Sequence, residues 1–545
     1  MPGGLLNLVA YGNQNIILNG NPSKTFFKST YAKYSNFGLQ RFRLDFDGQR
    51  HLRMTDSSVF DFKVPRYADL LMDTYLVLNL PTIWSPICDI SDNSEGNPFE
   101  FKWIENIGSQ LIETVRFKVG GQVIQELTGQ YMKNIVDRDF NDAKKDLYNR
   151  MTGNTTELND PANSFGRNEK YPSALSPVSE PYSIAGVEPS IRGRSLYIPL
   201  NIWFTTAAKM AFPLVSLQYS ELSIEITIRP IQDLFVVRKI HDTDNGDIGD
   251  YIRANQNDPK YGFYKFLQSP PPIIHITDEP VYQDKRTQWN ADIHLVSTYC
   301  FLSDDEIRIF ASQPQKYLIK EIYTTLYENI VGTQRIDVKS LGMVSSYMWF
   351  LQRNDVYMRN EWSNYTNWQY KHLPVNVSKS EYTKPDEFTN FQESNIIYET
   401  GDYQIQNEKE IMKNWGLILD GKYREDSQPV GIFNYIEKYN RTTGGAKDGL
   451  YIYNFCLNTD HNDFQPSGAM NMSKFTTTEF ELTTMLPVHD PNAEFKTICN
   501  EDGNVIGTIK PAYGIYDYTY NMIVMEERYN ILIFSNGNAG LEFAR

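Results

Sequence analysis

Histidine, serine and carboxylate side chains come first in a search for catalysis, because nucleophile–base pairs and metal sites need them at fixed spacings. No H-E-x-x-H and no G-x-S-x-G segment occurs. His461 lies near Asp460 and Asp463 in the sequence and could act as a general base. A loop histidine among polar residues is the favoured interpretation. His294 falls within a predicted strand, where we expect a structural role. The histidines are His51, His241, His275, His294, His372, His461 and His489.

Two glycine-containing segments were tested as phosphate or cation loops. The segment GGAKDG, Gly444–Gly449, has glycines and a lysine but lacks the spacing of a Walker A loop. The segment DTDNGDIGDY, Asp242–Tyr251, resembles a calcium loop in composition only. Placing Gly246 at the invariant turn puts His241 at the first ligand position, which does not fit calcium. A solvated acidic loop is the favoured interpretation.

Adjacent carboxylates occur at Asp304–Asp305 and at Glu526–Glu527, and we interpret such pairs as solvated surface. A glycosidase on a β-sandwich stays open, because its two carboxylates can come from anywhere in the fold. The Tyr- and Trp-rich insertion Met348–His372 suggests sugar binding, although an aromatic-packed loop is favoured. We therefore predict no catalytic, cofactor-binding or metal-binding residues, no cofactor and no enzymatic activity.

Length and charge limit the classes of protein. A chain of 545 residues exceeds the roughly 250–300 residues that one core supports, so two domains are expected. The formal net charge of −15 disfavours nucleic-acid binding, which depends on basic side chains. The cysteines Cys88, Cys300, Cys456 and Cys499 are widely spaced, which indicates reduced thiols.

The apolar segments are short. No stretch reaches the roughly 18 residues of a membrane span, and the N-terminus lacks the pattern of a signal peptide. We expect a soluble protein that is made in the cytosol.

Strand signals dominate the first half of the chain. Leu222–Arg229 alternates apolar and polar residues, as a half-buried strand does. Leu196–Phe204 reads as another strand, with Tyr197 and Trp203 on its outer face. Leu111–Gly129 is predicted to be a hairpin that turns at Gly120–Gly121, and Arg41–Arg53 a hairpin that turns at Asp47–Gly48. Further strands are predicted at Leu39–Phe46, His51–Met54, Val59–Val64, Tyr75–Leu80 and Ala291–Leu302.

Loops and a helix separate these strands. The polar tract Asp137–Arg194 reads as a long loop. Ser303 and Glu306 form a capping-box pattern that predicts a short helix ended by Pro314.

The second half of the chain shows the same pattern of short predicted strands separated by loops. We expect Tyr529–Phe534 to pair with Tyr317–Leu326 and to place one side-chain set in the core of the second sandwich. About eight strands per half indicate an all-β protein of two tandem eight-stranded jelly rolls. The other strands are predicted at Met343–Leu351, Trp415–Leu419, Tyr451–Leu457, Lys474–Thr484, Asn504–Ile509 and Tyr516–Met525. The expected limits are an arm at 1–24, a first jelly roll at 25–302, a linker with a short helix at 303–316 and a second jelly roll at 317–545.

Several segments resemble the major capsid protein of the nucleocytoplasmic large DNA viruses. They are the N-terminal Gly3–Phe37 with its LNGNP and TFFK elements, the hairpin KVGGQVIQELTG, YIPLNIWF with FPLVSLQY, YCFLSDDEIRIFA, QPSGAMNMS and the closing YNILIFSNGNAGL. Ser303 and Ile307 depart from the family pattern, which otherwise has aspartate and arginine there.

The resemblance implies two consecutive jelly rolls per chain and a homotrimer with a six-fold-like outline. Such trimers tile an icosahedral shell over an internal membrane, together with minor capsid and penton proteins. The membrane would separate the shell from the DNA, so that direct nucleic-acid binding is not expected. A carbohydrate-binding or carbohydrate-cleaving β-sandwich is the alternative.

Overall fold

The computed structural model describes most of the chain. The described residues are 12–46, 48, 51–88, 97–173, 188–240, 248–269, 282, 284–369, 378–381, 396–399, 407–460, 465–493, 496–509 and 514–543.

Antiparallel strands make up most of the structure. In the first half they are β1 Gly38–Leu44, β2 Ser58–Lys63, β3 Leu70–Leu80, β4 Ile87–Cys88, β5 Asn97–Pro98, β6 Phe101–Trp103, β7 Ile112–Val119, β8 Gln122–Thr128, β9 Arg194–Pro199, β10 Phe212–Pro213, β11 Leu222–Ile228, β12 Phe235–Ile240, β13 Ile248–Ile252 and β14 His294–Phe301. In the second half they are β15 Gln315–Ile330, β16 Thr333–Asp337, β17 Met343–Arg353, β18 Ser378–Glu381, β19 Ile396–Glu399, β20 Met412–Leu419, β21 Lys422–Pro429, β22 Leu450–Asn454, β23 Met470–Asn471, β24 Thr478–Thr484, β25 Lys496–Cys499, β26 Val505–Ile509, β27 Tyr520–Ser535 and β28 Asn538–Leu541.

The helices are short and lie between strands. They are α1 Asn13–Asn19, α2 Ile107–Leu111, α3 Gly129–Asp139, α4 Asp142–Thr152, α5 Thr156–Asn159, α6 Asp304–Ser312 and α7 Glu437–Arg441. A π-helical turn, Ile432–Ile436, precedes α7.

Each half forms a sandwich of two sheets. In the first half one sheet has the order β1-β14-β3-β10, with β9 also on β3, and the other has the order β2-β11-β7-β8. In the second half the orders are β15-β27-β17-β22 and β16-β24-β20-β21. In both halves the last long strand lies between the first and the third strand. This order is that of the jelly roll, so the predicted fold of two tandem jelly rolls is confirmed.

In the sheet β15-β27-β17-β22, the central strand β17 is covered by protein on both faces. Tyr347 and Trp349 of β17 point into the core of the second sandwich. Met348 and Phe350 point the other way, into a core that is continuous with that of the first sandwich. A strand covered on both faces has no polar face, which explains why β17 is almost entirely buried.

Several predicted elements are confirmed. Leu222–Ile228 alternates buried and half-buried side chains, and the hairpin β7–β8 turns at Gly120 and Gly121, both with positive φ. The predicted helix at Ser303 is α6, with Ser303 at its N-cap. The capping-box hydrogen bond is not formed, because the Glu306 carboxylate accepts hydrogen bonds from the hydroxyls of Ser303 and Ser35 instead.

The predicted hairpin Arg41–Arg53 is wrong. Strand β1 pairs with β14, and β2 pairs with β11 in the opposite sheet. His51–Met54 forms no strand. In a jelly roll the first strand pairs with the last one, so two strands that are adjacent in sequence lie in different sheets.

The predicted strand Leu196–Phe204 ends early. Strand β9 stops at Pro199, and Asn201 then takes a left-handed backbone with φ 48°. Trp203 consequently lies in a short 3-10 turn and is buried, whereas Tyr197 is half exposed.

The polar tract Asp137–Arg194 is not a simple loop, because α4 and α5 lie within it. Asn141 caps α4 by accepting a hydrogen bond from the backbone N–H of Lys144 at 3.0 Å. Residues 174–187 of the tract lie outside the described part of the chain.

The C-terminal strand is longer than predicted. Tyr516–Met525 and Tyr529–Phe534 were predicted as separate strands, but β27 runs unbroken from Tyr520 to Ser535. Its pairing with β15 is confirmed, with Leu532 opposite Tyr317. Leu532 and Phe534 are the buried set, and they enter the core shared with the first sandwich rather than that of the second alone. The domain limits at residues 24, 302 and 316 stay predictions.

A charge at Leu532 should prevent folding. The side chain is fully buried, so Leu532→Asp places a carboxylate in an apolar core at a cost of more than about 4 kcal/mol. We expect insoluble protein on expression at 25 °C. Truncation before Tyr529 should have the same result, because it leaves the inner edge of β15 unpaired.

Ile533→Asp is the matched control, because Ile533 is the neighbouring residue on the opposite, half-buried face. It should reduce solubility less than Leu532→Asp. Soluble, folded protein from the Leu532 variant or the truncation would show that this end of β27 is dispensable.

Candidate functional site

For a protein with this architecture, the candidate site is the surface along which the two sandwiches meet, here called the junction. It lies between α3 with the adjoining part of the first sandwich and the sheet β15-β27-β17-β22. Helix α3 begins directly after the hairpin β7–β8, where Thr128 caps it by accepting a hydrogen bond from the N–H of Tyr131. Its residues are almost all buried, which is unusual for a helix with this polar composition.

An ion cluster occupies the centre of the junction. Arg138 of α3 forms an ion pair with Glu527 of β27 at 2.8 Å, and both side chains are fully buried. Arg138 also contacts both carboxylate oxygens of Asp139, at 2.9 and 2.8 Å. A single guanidinium thus contacts two buried carboxylates, one from each side of the junction's helix–sheet contact. Arginine suits this role because its planar fork presents several donors and keeps its charge when buried.

Hydroxyl groups complete the coordination of the two carboxylates. Tyr131 donates to one oxygen of Glu527 at 2.8 Å, and Ser346 of β17 donates to the other at 2.9 Å. Thr459 donates to Asp139 at 2.8 Å, from the second sandwich to the first. Buried charges are tolerated when hydrogen bonds satisfy them in this way.

The environment of Glu527 changes its acidity. Burial by itself would raise its pKa, but the positive charges of Arg138 and Lys320 and the hydrogen bonds from Arg138 and Tyr131 prevail and lower the pKa to about 2. The carboxylate is therefore ionised at neutral pH. Burial and the neighbouring Glu527 charge raise the pKa of Tyr131, so its hydroxyl stays protonated and donates.

An aromatic cluster forms the apolar part of the junction. The ring of Trp203 lies 5.5 Å from that of Tyr317, and the ring of Phe212 lies 5.1 Å from that of Phe534. Tyr317 and Phe534 contact each other at 5.5 Å. Rings at these distances add to the free energy gained by burying their apolar area. Trp203, predicted on an outer sheet face, thus contacts the other sandwich of the same chain.

Hydrogen bonds to backbone groups also stabilise the junction at two further places. Gln125 of β8 donates to the carbonyl of Lys320 at 2.8 Å, while its amide oxygen accepts from the N–H of Trp203 at 3.2 Å. At the C-terminal turn, the carbonyl of Gly537 accepts from the N–H groups of Gln218 and Tyr219. The positive φ of Asn536 and Gly537 forms the turn that places this carbonyl. The junction is therefore held by charges, rings and backbone together.

The two pairs of adjacent carboxylates lie in different environments. Asp304 and Asp305 are in the first turn of α6, where the helix dipole favours negative charge. The interpretation of Glu526 and Glu527 as solvated surface is wrong, because both side chains are buried. Glu526 pairs with Arg528 on the opposite face of β27. The signal that sequence reasoning missed is a run of three charges inside an otherwise apolar strand.

The structure describes only some of the other residues weighed for chemistry. The Nδ1–H of His294 donates to the backbone carbonyl of Asp292 at 2.6 Å, which agrees with a structural role. His461, Asp463, His241 and Gly246 lie outside the described residues. Across the part of the chain that the structure describes, no three His, Cys, Asp or Glu side chains cluster as metal ligands.

The segment Gly444–Gly449 has a structural role at the junction. The N–H of Gly444 donates to the carbonyl of Arg138 at 2.9 Å, and a Cβ atom there would meet backbone at 2.5 Å. Lys447 is half-buried over the ring of Tyr365 and donates to the carbonyl of Ser363 at 2.8 Å. Burial lowers the pKa of Lys447 to about 7. Glycine is needed here because the chain passes close to the end of α3.

The aromatic insertion Met348–His372 is packed into the protein up to its last described residue, 369. The ring of Tyr365 stacks on Phe350 at 3.8 Å, and the indole of Trp362 donates to the carbonyl of Asp233 at 3.0 Å. The favoured interpretation of an aromatic-packed loop is correct for these rings. No helix among the described residues has the length and apolar composition needed to cross a bilayer.

Removing the charge of Glu527 should destabilise the chain. Because the folded-state pKa is depressed from 4.5 to about 2, the ionised carboxylate contributes about 3 kcal/mol of stability above pH 4.5. This contribution is lost as the pH falls from 4.5 towards 2. We expect Glu527→Gln to unfold at lower urea concentration than the wild type at pH 7, with the difference shrinking in acid.

Glu126→Gln is the control for that measurement, since Glu126 pairs with Arg116 on the exposed surface. It should change the free energy of unfolding by less than about 1 kcal/mol. Equal urea midpoints for the Glu527 variant and the wild type at pH 7 would contradict the assigned role of the ion cluster.

Comparison with known proteins identifies the family. A model of the major capsid protein N-terminus matches residues 25–264, and a model of the large eukaryotic DNA virus major capsid protein matches residues 306–540. A major capsid protein of Phaeocystis pouchetii virus is 25% identical over 544 residues, covering 88% of this chain and 93% of that protein. The major capsid protein of Paramecium bursaria Chlorella virus 1 is 22% identical, with both chains covered completely.

Solved structures show the same fold. The Faustovirus major capsid protein superposes with a TM-score of 0.62 over 98% of this chain and 99% of that chain, at 14% identity. A chain of the PBCV-1 virus capsid superposes with a TM-score of 0.59 over 96% of this chain and 100% of that chain, at 18% identity. With one family model on each jelly roll and this shared fold, the chain belongs to the major capsid proteins of the nucleocytoplasmic large DNA viruses.

Proposed function

We propose that three copies of the chain form a homotrimeric capsomer with a six-fold-like outline, which tiles the icosahedral shell of a large double-stranded DNA virus. The observation that carries this proposal is the pair of sandwiches with the same strand order, joined by the junction. Three copies of a two-sandwich subunit contain six similar modules. A closed ring of three therefore approximates six-fold symmetry and can pack in a hexagonal array.

Exposed aromatic and aliphatic side chains supply surface for contact between subunits. Tyr435, Ile436 and Tyr439, around the start of α7, are between half and nine-tenths exposed. Permanent interfaces bury more than ~2,000 Å² and are rich in such residues. These residues lie on the outside of the second sandwich, where a neighbouring subunit can cover them.

The N-terminal arm supports a second set of partners. Its described part, residues 12–24, contains α1, which buries no residue, and it is followed by an extended segment in which Phe26 and Phe27 are almost fully exposed. We propose that the arm orders against minor capsid proteins beneath the shell, with penton proteins at the vertices and the viral membrane below. The proposed limits of the two jelly rolls are 25–302 and 317–545. Direct DNA binding is not part of the proposed function.

Synthesis in the host cytoplasm fits the thiol chemistry. Cys300 and Cys456 are buried and free, and Cys499 is exposed and free. Free thiols of this kind persist in a reducing compartment. The alternative function, a carbohydrate-binding or carbohydrate-cleaving sandwich, predicts no obligatory trimer, and no activity is part of our proposal.

The oligomeric state tests the proposal. Sedimentation velocity at micromolar concentration should show a species near three times 63.1 kDa, because obligate assemblies have no stable separate subunits. Tyr439→Lys, which charges an exposed aromatic residue, should weaken the trimer, and the surface change Lys413→Met should not. A stable, folded wild-type monomer at this concentration would favour the alternative.

The arm should act after trimer formation. Deletion of residues 1–24 removes α1 but none of the sandwich strands, so the trimer should sediment unchanged. Particles reconstituted or produced with the deleted chain should form in lower yield, as counted by electron microscopy. Loss of the trimer on deletion would show that the arm belongs to the subunit interface.

A further inference from the structure

A cavity of about 560 Å³ opens where loops of the two sandwiches meet, away from the ion cluster. Its first wall comes from the small sheet β13-β12-β6, which supplies Lys102, Arg238 and Tyr251. Its second wall comes from the insertion after β17, which supplies Arg359 and Glu361. The volume falls within the range of about 300–1,000 Å³ found for small-molecule sites.

Fixed ion pairs hold the walls of the cavity in place. Arg238 donates to Glu100 at 2.9 Å, and the Tyr251 hydroxyl donates to the other oxygen of the same carboxylate. Arg359 lies between two carboxylates and donates to Asp355 and to Glu361, each at 3.1 Å. Side chains held in this way are ordered before a ligand arrives, which lowers the entropic cost of binding.

Lys102 is the side chain that these contacts leave unsatisfied. Its ammonium lies 3.7 Å above the ring of Tyr251, and among the described residues no carboxylate or carbonyl accepts a hydrogen bond from it. Burial lowers the pKa of Lys102, against the attraction of Asp160, Glu361 and Glu100. An ammonium group has three donors and normally uses them.

Two deeper groups are also unsatisfied. The amide oxygen of Asn360 and the indole N–H of Trp103 are buried, and neither has a hydrogen-bond partner in the described structure. The Asn360 amide nitrogen is already used, because it donates to the carbonyls of Gln232 and Phe235. The two residues line the same cavity as Lys102. Both atoms are closed to solvent, so they lie behind the cavity wall, and the donors that the cavity itself presents are those of the Lys102 ammonium, from which a ligand hydroxyl can accept.

The charges lining the cavity limit the class of ligand. Lys102, Arg238 and Arg359 face a similar number of carboxylates, which are Glu105, Asp160, Asp250 and Glu361. An anionic ligand would meet the carboxylates, and a cationic ligand would meet the three basic groups. A neutral ligand with many hydroxyl groups meets neither penalty, and each hydroxyl can donate to a carboxylate and accept from a basic group.

We propose that this cavity binds a neutral carbohydrate of one or two sugar units, with Lys102 as a direct contact. The site combines polar side chains of the aromatic insertion with residues of the first sandwich, so it exists only when the two sandwiches are joined. Binding of a sugar is a function in addition to shell formation and does not depend on the trimer. The capsid family identity is likewise unaffected by the result.

The test uses the full-length chain and defined sugars. Methyl α-mannoside, methyl β-galactoside, lactose and cellobiose are titrated by saturation-transfer NMR and calorimetry. We expect at least one to bind with a dissociation constant of about 1 mM or tighter. No binding of any of the four at about tenfold higher concentration would overturn the proposal.

Variants assign the binding to the cavity. Lys102→Met should weaken binding by about tenfold or more, since it removes the free donors while keeping the length of the side chain. Lys413→Met, on an exposed strand position, is the matched control and should bind as the wild type does. Unchanged affinity in the Lys102 variant would place the sugar elsewhere and overturn the assignment.

A second variant and two charged sugars make the result decisive. If Lys102→Met does not fold, Asp250→Asn, at an exposed lining residue, takes its place and should weaken binding at least threefold. N-acetylneuraminic acid and glucosamine should bind more weakly than the best neutral sugar. Preference for either charged sugar would contradict the argument from charge balance.

Discussion

Glu527 places a buried negative charge in the middle of a sheet, and the fold has to neutralise it there. Arg138 does so from the other sandwich, and Asp139, Tyr131 and Ser346 complete the cluster. Breaking such a pair is costly because it leaves a buried charge without a partner. Two apolar surfaces can shift against each other at little cost in free energy. The ion cluster, in contrast, forms in one arrangement of α3 on β27. The relative position of the two sandwiches follows from this constraint.

The sheet that contains Glu527 also explains the composition of the second half. Its central strand β17 needs apolar residues on both faces, because Trp349 points into one core and Phe350 into the other. The partner sheet β16-β24-β20-β21 has one face in the core and one towards the outside, and β21 is largely polar and exposed. This difference is why no strand is predicted at Lys422–Pro429, while β17 is predicted at Met343–Leu351.

A protein of this family is a component of the viral capsid shell. Within one chain, the junction joins the two sandwiches by charges, rings and backbone hydrogen bonds at separate places along it. The cavity near Lys102 lies at another part of the same contact between sandwiches. Joining two sandwiches therefore creates both a rigid subunit and a pocket that neither sandwich has alone.

The sequence by itself determined the fold class, the alternating strand Leu222–Ile228, the hairpin turn at Gly120–Gly121 and the helix that begins after Ser303, because local periodicity and turn chemistry specify these elements. It could not determine the partner of Trp203 or the burial of Glu527. Apolar periodicity shows that a residue is buried but not which surface covers it, and a charged pair in sequence looks the same whether it meets water or a guanidinium. Only the tertiary structure, by bringing α3 onto β27 across almost four hundred residues, decided that these side chains face each other.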